Sequence, residues 1–381
     1  MKQSQSQWKR WVIACMLLLT TATGHAAAVT FDGRDITGCT YESSNQTYYC
    51  LNSSYTTDCT FTVASGTTSG TTSNTIYECH DPSYEPTSDD IFTINAGYSV
   101  FGNLDKGASA RLLGDASLTG NLSVAGAVTM GKKAKIEGNL TSGGTVTLDS
   151  YAEVTGYLDA GTTVTSADHA YVGGDVTAEE TVTMAASSHV VGNVTGTTVT
   201  MAANGIIGGD VTATTVSLAA NATIEGNVEE ATTVSLAANA TIGGNVEQAT
   251  TVSLAANATI KGYVNEATTV SVAAGGCVQG DVSGTTVTLA AGGGVGGNVV
   301  STSTVTLAQG ASVGGTVTAG TTFTMTDDST VGGTVTFDGE TYEVNGFGEQ
   351  DETCNDSGSG SGSGGISRTI IKRQWRQTFM R

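Results

Sequence analysis

Proline is almost missing from this chain of 381 residues, at 2 residues, and only 13% of residues are charged and 6% aromatic. Each shortage excludes a class. Without Pro, and without Gly at every third position, no collagen triple helix forms. So few Glu, Lys and Arg exclude a helical bundle or a coiled coil. Bases are outnumbered by acids, 15 to 35, for a formal net charge of −20. A net-acidic surface repels phosphate, so no nucleic-acid partner is expected. The low charge and 39% hydrophobic residues also exclude a disordered acidic chain. What is abundant is Gly, at 51 residues, with Thr, Val, Ala and Ser. That mixture suits β-structure with very small corners.

Long hydrophobic runs are lacking too. The stretch Val12–Leu19 follows Lys2, Lys9 and Arg10 and precedes Gly24-His25-Ala26. This is the pattern of a signal peptide over residues 1–26, with a mature chain starting at Ala27. The run is too short to span a bilayer, and no transmembrane helix is expected in the mature chain. Val12-Ile13-Ala14-Cys15 matches a lipobox on paper, but almost no apolar stretch precedes it. The expected location is the periplasm, outer surface or surroundings of a bacterium.

Cysteine usage agrees with export. Apart from Cys15, four of the six others, Cys39, Cys50, Cys59 and Cys79, lie within one short segment. In an oxidising compartment such a cluster reads as a disulfide-stapled unit. Three connectivities exist, and Cys39–Cys50 with Cys59–Cys79 is preferred. Zinc is the weaker reading, since no CxxC occurs and His80 is the only histidine nearby. Cys277 falls at an outward position, and three states are open for it: free, paired with Cys354, or used between chains.

From residue 92 the sequence repeats every 18 residues, and sometimes every 17. With the middle residue of the TVT-like motif as position zero, fourteen units start at Phe92, Ala110, Val128, Val146, Val164, Val182, Val199, Val216, Val234, Val252, Val270, Val287, Val305 and Phe323. Positions +8 and +12 are aliphatic in all fourteen, +10 is always Gly, and +11 is Asn or Asp in ten. Positions 0, +2, +8 and +12 share one parity, so a strand alternation of two keeps all of them facing inward. One coil cannot bury that stripe alone, but stacked coils bury it as a continuous core. The expected fold is therefore all-β: a single-stranded β-solenoid of three short strands per coil and about 14 coils, roughly 65–70 Å long. Gly beside Asn or Asp fits a corner needing positive φ or a close backbone approach. The 17-residue units lose their residue after +12.

The run TTVSLAANATIEGNVEEATTVSLAANATIGGNV resembles the repeats of bactofilins, polymer-forming bacterial β-solenoids, over residues 92 to about 337. The head is similar to the start of MshQ-type proteins: Val29-Thr30-Phe31-Asp32-Gly33, Cys39, then Thr47-Tyr48-Tyr49-Cys50. That family is associated with biogenesis of the mannose-sensitive hemagglutinin pilus. The resemblance implies pilus-assembly or other envelope proteins, or further copies of itself, as partners. Members of that family are usually longer, with further domains after the repeats.

The expected order is a Cys- and Tyr-rich cap at 27–91, solenoid at 92–340, a second cap at 341–356, a Gly/Ser linker at 357–365 and a basic tail at 366–381. A cap covers strand edges that otherwise invite aggregation. The head's tyrosines also suit glycan binding. Residues 27–356 hold 7 bases and 35 acids, 7 − 35 = −28, whereas the tail is +5. Its Arg373, Trp375 and Arg376 are the candidate docking residues. No catalytic set, metal site or cofactor motif is found, and an enzyme is not expected. His169 at +5 and His189 at +7 share no column, and Gly292–Gly297 lacks the Lys and the helix of a phosphate loop. The candidate ligand surface is an outward Thr-x-Thr or Thr-x-Ser ladder: Thr145/Thr147, Thr163/Thr165, Thr181/Thr183 and Thr198/Thr200, four Thr-x-Ser coils, then Thr286/Thr288, Thr304/Thr306 and Thr322/Thr324. Two such columns resemble the faces of ice-binding β-solenoids. Ladder-forming Thr with high β-propensity is the plain structural alternative. The expected function is an exported, non-enzymatic structural or adhesion protein, with ice or glycan binding as the alternative.

Overall fold

The computed structural model describes five short strands between residues 29 and 61, and residues 91–343 apart from 98, 102, 103, 108 and 327. The chain is all-β and winds into a parallel β-solenoid. Each coil contributes three strand lines. Positions +7 and +8 stack into a fourteen-stranded parallel sheet running from Ser99–Phe101 to Thr330–Val331. The line around position zero and the line starting at +12 merge into one 28-stranded sheet. Three long strands join those two lines across a corner: Val264–Val272, Val282–Leu289 and Val299–Leu307. Fourteen stacked strands make thirteen steps, a rod of about 62 Å at ~4.8 Å per step.

The register follows the sequence period. Val194 pairs with Val211 and Val211 with Val228, while Thr198 pairs with Thr215 and Thr215 with Thr233. The inward stripe is dry: Val216, Ala222, Ile224 and Val228 are all fully buried. Stacking repeats this layer, so aliphatic side chains of one column touch the same column above and below. Ser166 and Ser188 interrupt the apolar core, and they satisfy each other. Ser166 Oγ donates to Ser188 Oγ at 3.1 Å, and Ser188 Oγ donates to the Ala185 carbonyl at 2.8 Å.

Two corners explain the polar columns. The first lies at +3 to +6 and closes by a backbone bond such as Ala240 N–H to the Ala237 carbonyl at 3.1 Å. Its third residue, +5, has positive φ in every coil, from Gly97 through Asp115, Asn221 and Asn257 to Asp328. That is where a type II turn requires it, and Gly, Asn and Asp tolerate it best. The expected Gly column at +10 is used differently. Gly226 has no positive φ, and a Cβ there would stand 2.5 Å from the carbonyl carbon of Gly209. Of the two readings of this glycine, close backbone approach holds.

Parity does not run unbroken around the coil. In the coils starting at Val216, Val234 and Val252 the residue at +14 takes positive φ: Glu230, Gln248 and Glu266. The next residue then points inward, and Ala231, Ala249 and Ala267 are buried at an odd position. One left-handed residue reverses the alternation, as in a β-bulge.

The described ends are partly covered. Val29–Phe31 pairs antiparallel with Ile91–Ile94, matching Phe31 with Phe92. At the other end Glu340–Glu343 pairs antiparallel with Thr334–Phe337. Cys39 stands opposite Cys50, and Cys50 opposite Cys59, in a three-stranded antiparallel sheet. Cys79, the cysteine side chains of the head and the remainder of both caps lie outside the described residues, as do the linker and tail.

Candidate functional site

The Thr columns are continuous. Thr163, Thr181, Thr198, Thr215, Thr233, Thr251, Thr269, Thr286, Thr304 and Thr322 pair in register, coil by coil. The second column runs from Thr147 through Thr165, Thr183 and Thr200, then Ser217, Ser235, Ser253 and Ser271, to Thr288, Thr306 and Thr324. Every array position faces outward and is half-buried or exposed, while the residue between each pair is buried in all but the last coil. Thr145 lies just before its strand, its Oγ1 3.0 Å from Thr162 Oγ1. The arrangement is a flat strip of hydroxyl and methyl groups, spaced about 4.8 Å along the rod and about 6.7 Å across it.

A second surface was not legible as a unit in the sequence. Tyr151 and His169, both at +5 on adjacent coils, stack with ring centroids 4.7 Å apart. Tyr171 and His189, both at +7, meet edge to face at 5.6 Å. The two histidines thus belong to different columns, as expected, and each pairs with a tyrosine one coil below. The column at +7 continues into Lys135, whose ammonium lies 3.1 Å from Glu137 and 3.4 Å from Glu153. The hydrogen bond from Lys135 is the main cause that lowers the Glu137 pKa, and the bond to Glu137 raises that of Lys135. Both side chains are exposed, so the pair adds little to stability.

The Asn/Asp column at +11 is occupied internally. The Asn193 side-chain oxygen accepts the Asp210 N–H at 2.8 Å, Asp210 that of Asn227 at 2.7 Å, and Asn227 that of Asn245 at 2.8 Å. These oxygens are therefore committed to the backbone of the next coil. Among the described residues no group of three His, Cys, Asp or Glu side chains is placed to hold a metal ion. No described helix is long and apolar enough to cross a membrane.

Of the three states open for Cys277, the structure removes one. Its odd position points outward, yet it is only 6% exposed and is disulfide-bonded. The free state is thus excluded. The tail residues Arg373, Trp375 and Arg376, and also Cys354, lie outside the described residues. No family model, curated protein or solved structure matches the chain.

Proposed function

We propose that the protein is an exported, non-enzymatic rod of the bacterial envelope with a structural or adhesive role, accessory to assembly of a type IV pilus of the mannose-sensitive hemagglutinin kind. The observation that carries this reading is the uninterrupted stack of fourteen strands, in which the Asx side chains best suited to binding are spent on joining coils. Such a rod sets a distance. The signal peptide supports export, and the similarity of the head to MshQ-type proteins supports the pilus setting.

Excising residues 216–269 removes three whole coils, 270 − 216 = 54 residues, and rejoins equivalent positions. A spacer shortened in this way keeps its fold and loses attachment or piliation of the cell in proportion to length. Full activity of the shortened protein in a deletion strain speaks against a spacing role.

The register of the two Thr columns favours a second reading, recognition of a regular surface such as ice or a glycan. Thermal hysteresis and recrystallisation inhibition by the purified chain, both lost on Thr200→Tyr, test it. Absence of both activities removes ice as the ligand.

A further inference from the structure

We infer that the rod carries a further recognition site, a patch for a neutral oligosaccharide on the outer face of the fourteen-stranded sheet, away from the Thr columns. Among the described residues seven large apolar side chains are exposed, and four of them, Tyr151, Tyr157, Val191 and Ile206, lie at +5 to +11 of four successive coils. Tyr151 is 50% exposed and Val191 43%. Register fixes the limits of the patch. In the +7 column Lys135 pairs with Glu153, Glu153 with Tyr171, Tyr171 with His189 and His189 with Ile206. Above Ile206 the column turns to Thr223 and Thr241. An ion pair thus bounds the patch below, and threonines bound it above. An exposed apolar surface inside a polar rim marks a recognition site.

The chemistry of the patch selects the ligand. Tyr151 and His169 stack with an interplanar angle of 14° at 4.7 Å, about one coil step. Rings stacked along the rod turn their edges to solvent, and with them a phenol hydroxyl and imidazole nitrogens. Beside them lies the C–H surface of Val191 and Ile206. Gly173 and Gly208 stand at +9 in the coils below and above Val191, and without side chains they keep the floor low on both sides of it. A sugar is the complement of such a surface. Its C–H faces suit the apolar side chains, and its hydroxyls both donate and accept, as Tyr and His require. Charge speaks against an anion. Lys132, Lys133 and Lys135 are matched by Glu137, Asp149, Glu153 and Asp168, and Lys135 is held between two carboxylates. Size speaks against a second copy of the chain. The patch runs three coil steps, about 14 Å, by about 13 Å from +5 to +9. That is roughly 200 Å², a quarter of the ~800 Å² that each partner of a stable protein pair buries. It suits a short stretch of sugar chain.

The test titrates residues 27–381 with cellohexaose, chitohexaose and mannohexaose, with polygalacturonate as the anionic comparison, and follows the imidazole C–H signals by NMR. That chain has three histidines, His80, His169 and His189. At least one neutral hexamer is expected to shift His169 and His189 and to leave His80 in place. The variants borrow residues that the fold already uses in the same columns. Tyr171→Thr with His189→Thr and Ile206→Thr extends the run of Thr223 and Thr241, and Tyr151→Asn copies Asn221 at the left-handed corner. Both proteins are expected to melt like the parent. The triple variant is expected to bind at least tenfold more weakly, read from His169, and Tyr151→Asn at least threefold. Thr200→Tyr, on the other sheet, is expected to bind like the parent. No response to any neutral hexamer, a response confined to His80, or binding of polygalacturonate alone overturns the assignment. Binding lost in Thr200→Tyr but kept in the triple variant also overturns it and moves the sugar to the Thr columns. A dimer in sedimentation that the triple variant abolishes overturns it in favour of a second copy.

Discussion

The side-chain Oδ1 of Asp210 accepts the backbone N–H of Asn227 at 2.7 Å and lies beneath Gly226, where a Cβ would stand only 2.5 Å from the same oxygen. The pair Gly-Asx is thus one device across two coils. The glycine of one coil leaves room for the carboxylate or amide of the coil below, and the next residue supplies the N–H. Asp210→Ala is expected to cost about 1–2 kcal/mol through the abandoned N–H. Gly226→Ala is expected to cost about 3 kcal/mol, because the backbone of Gly209 cannot yield. The double variant should not recover, since the Gly209 carbonyl carbon is equally close. Denaturant titration of all three proteins measures this, and recovery in the double variant assigns the clash to the side chain alone.

Val228 is fully buried and Thr233 is half-buried on the outer face. Val228→Asp places a carboxylate in the dry stripe without a partner, and a loss of several kcal/mol is expected. Thr233→Asp is expected to cost less than about 1 kcal/mol. Equal losses would falsify the inward and outward assignment of these two lines.

Asn221 holds a φ of 60° at the corner of its coil. Asn221→Gly is expected to be neutral or slightly stabilising there. Asn221→Val is expected to cost about 1–2 kcal/mol or more, because a β-branched side chain resists the left-handed region. Melting curves of the two variants should move apart, and coincident curves would show that this corner tolerates any residue.

Phe92 is 6% exposed, and its strand is paired with Val29–Phe31. Removing residues 27–91 opens that strand edge and the apolar cross-section of the first coil. The shortened protein is expected to form filaments or aggregates in light scattering and electron microscopy, while residues 27–381 stay largely monomeric. A monomeric shortened protein at high concentration assigns the head to recognition instead of capping.

Most of the solenoid was legible because a fixed period ties every inward column to one parity, and Val216, Ile224 and Val228 needed only that rule. The array of Thr163 and Thr181 was legible for the same reason. The breaks in the rule were harder to see. Glu230 looks like any acidic residue of a corner, and only its left-handed backbone turns Ala231 inward. The +5 column mixes Gly, Asn and Asp with Lys133, Tyr151 and His169, which hides a shared φ behind unlike side chains. Cys277 stands at the same odd position as the half-buried Thr241 and Thr259, so parity could not announce its burial.

The Asx ladder has breaks, and these bear on how the rod carries mechanical load. Asn139 accepts the Tyr157 N–H at 3.1 Å and Asn245 that of Tyr263 at 3.1 Å, but a tyrosine side chain has no amide or carboxylate oxygen to accept the next N–H in turn. New runs begin at Asp175 and Asp281, whose oxygens reach Asn193 and Asn298. The ladder is thereby cut into three lengths, like a zip with two gaps in its teeth. A rod tethered at both ends and pulled along its axis has its weakest seams beside Tyr157 and Tyr263. It would then part in blocks of several coils, dissipating a tug in steps.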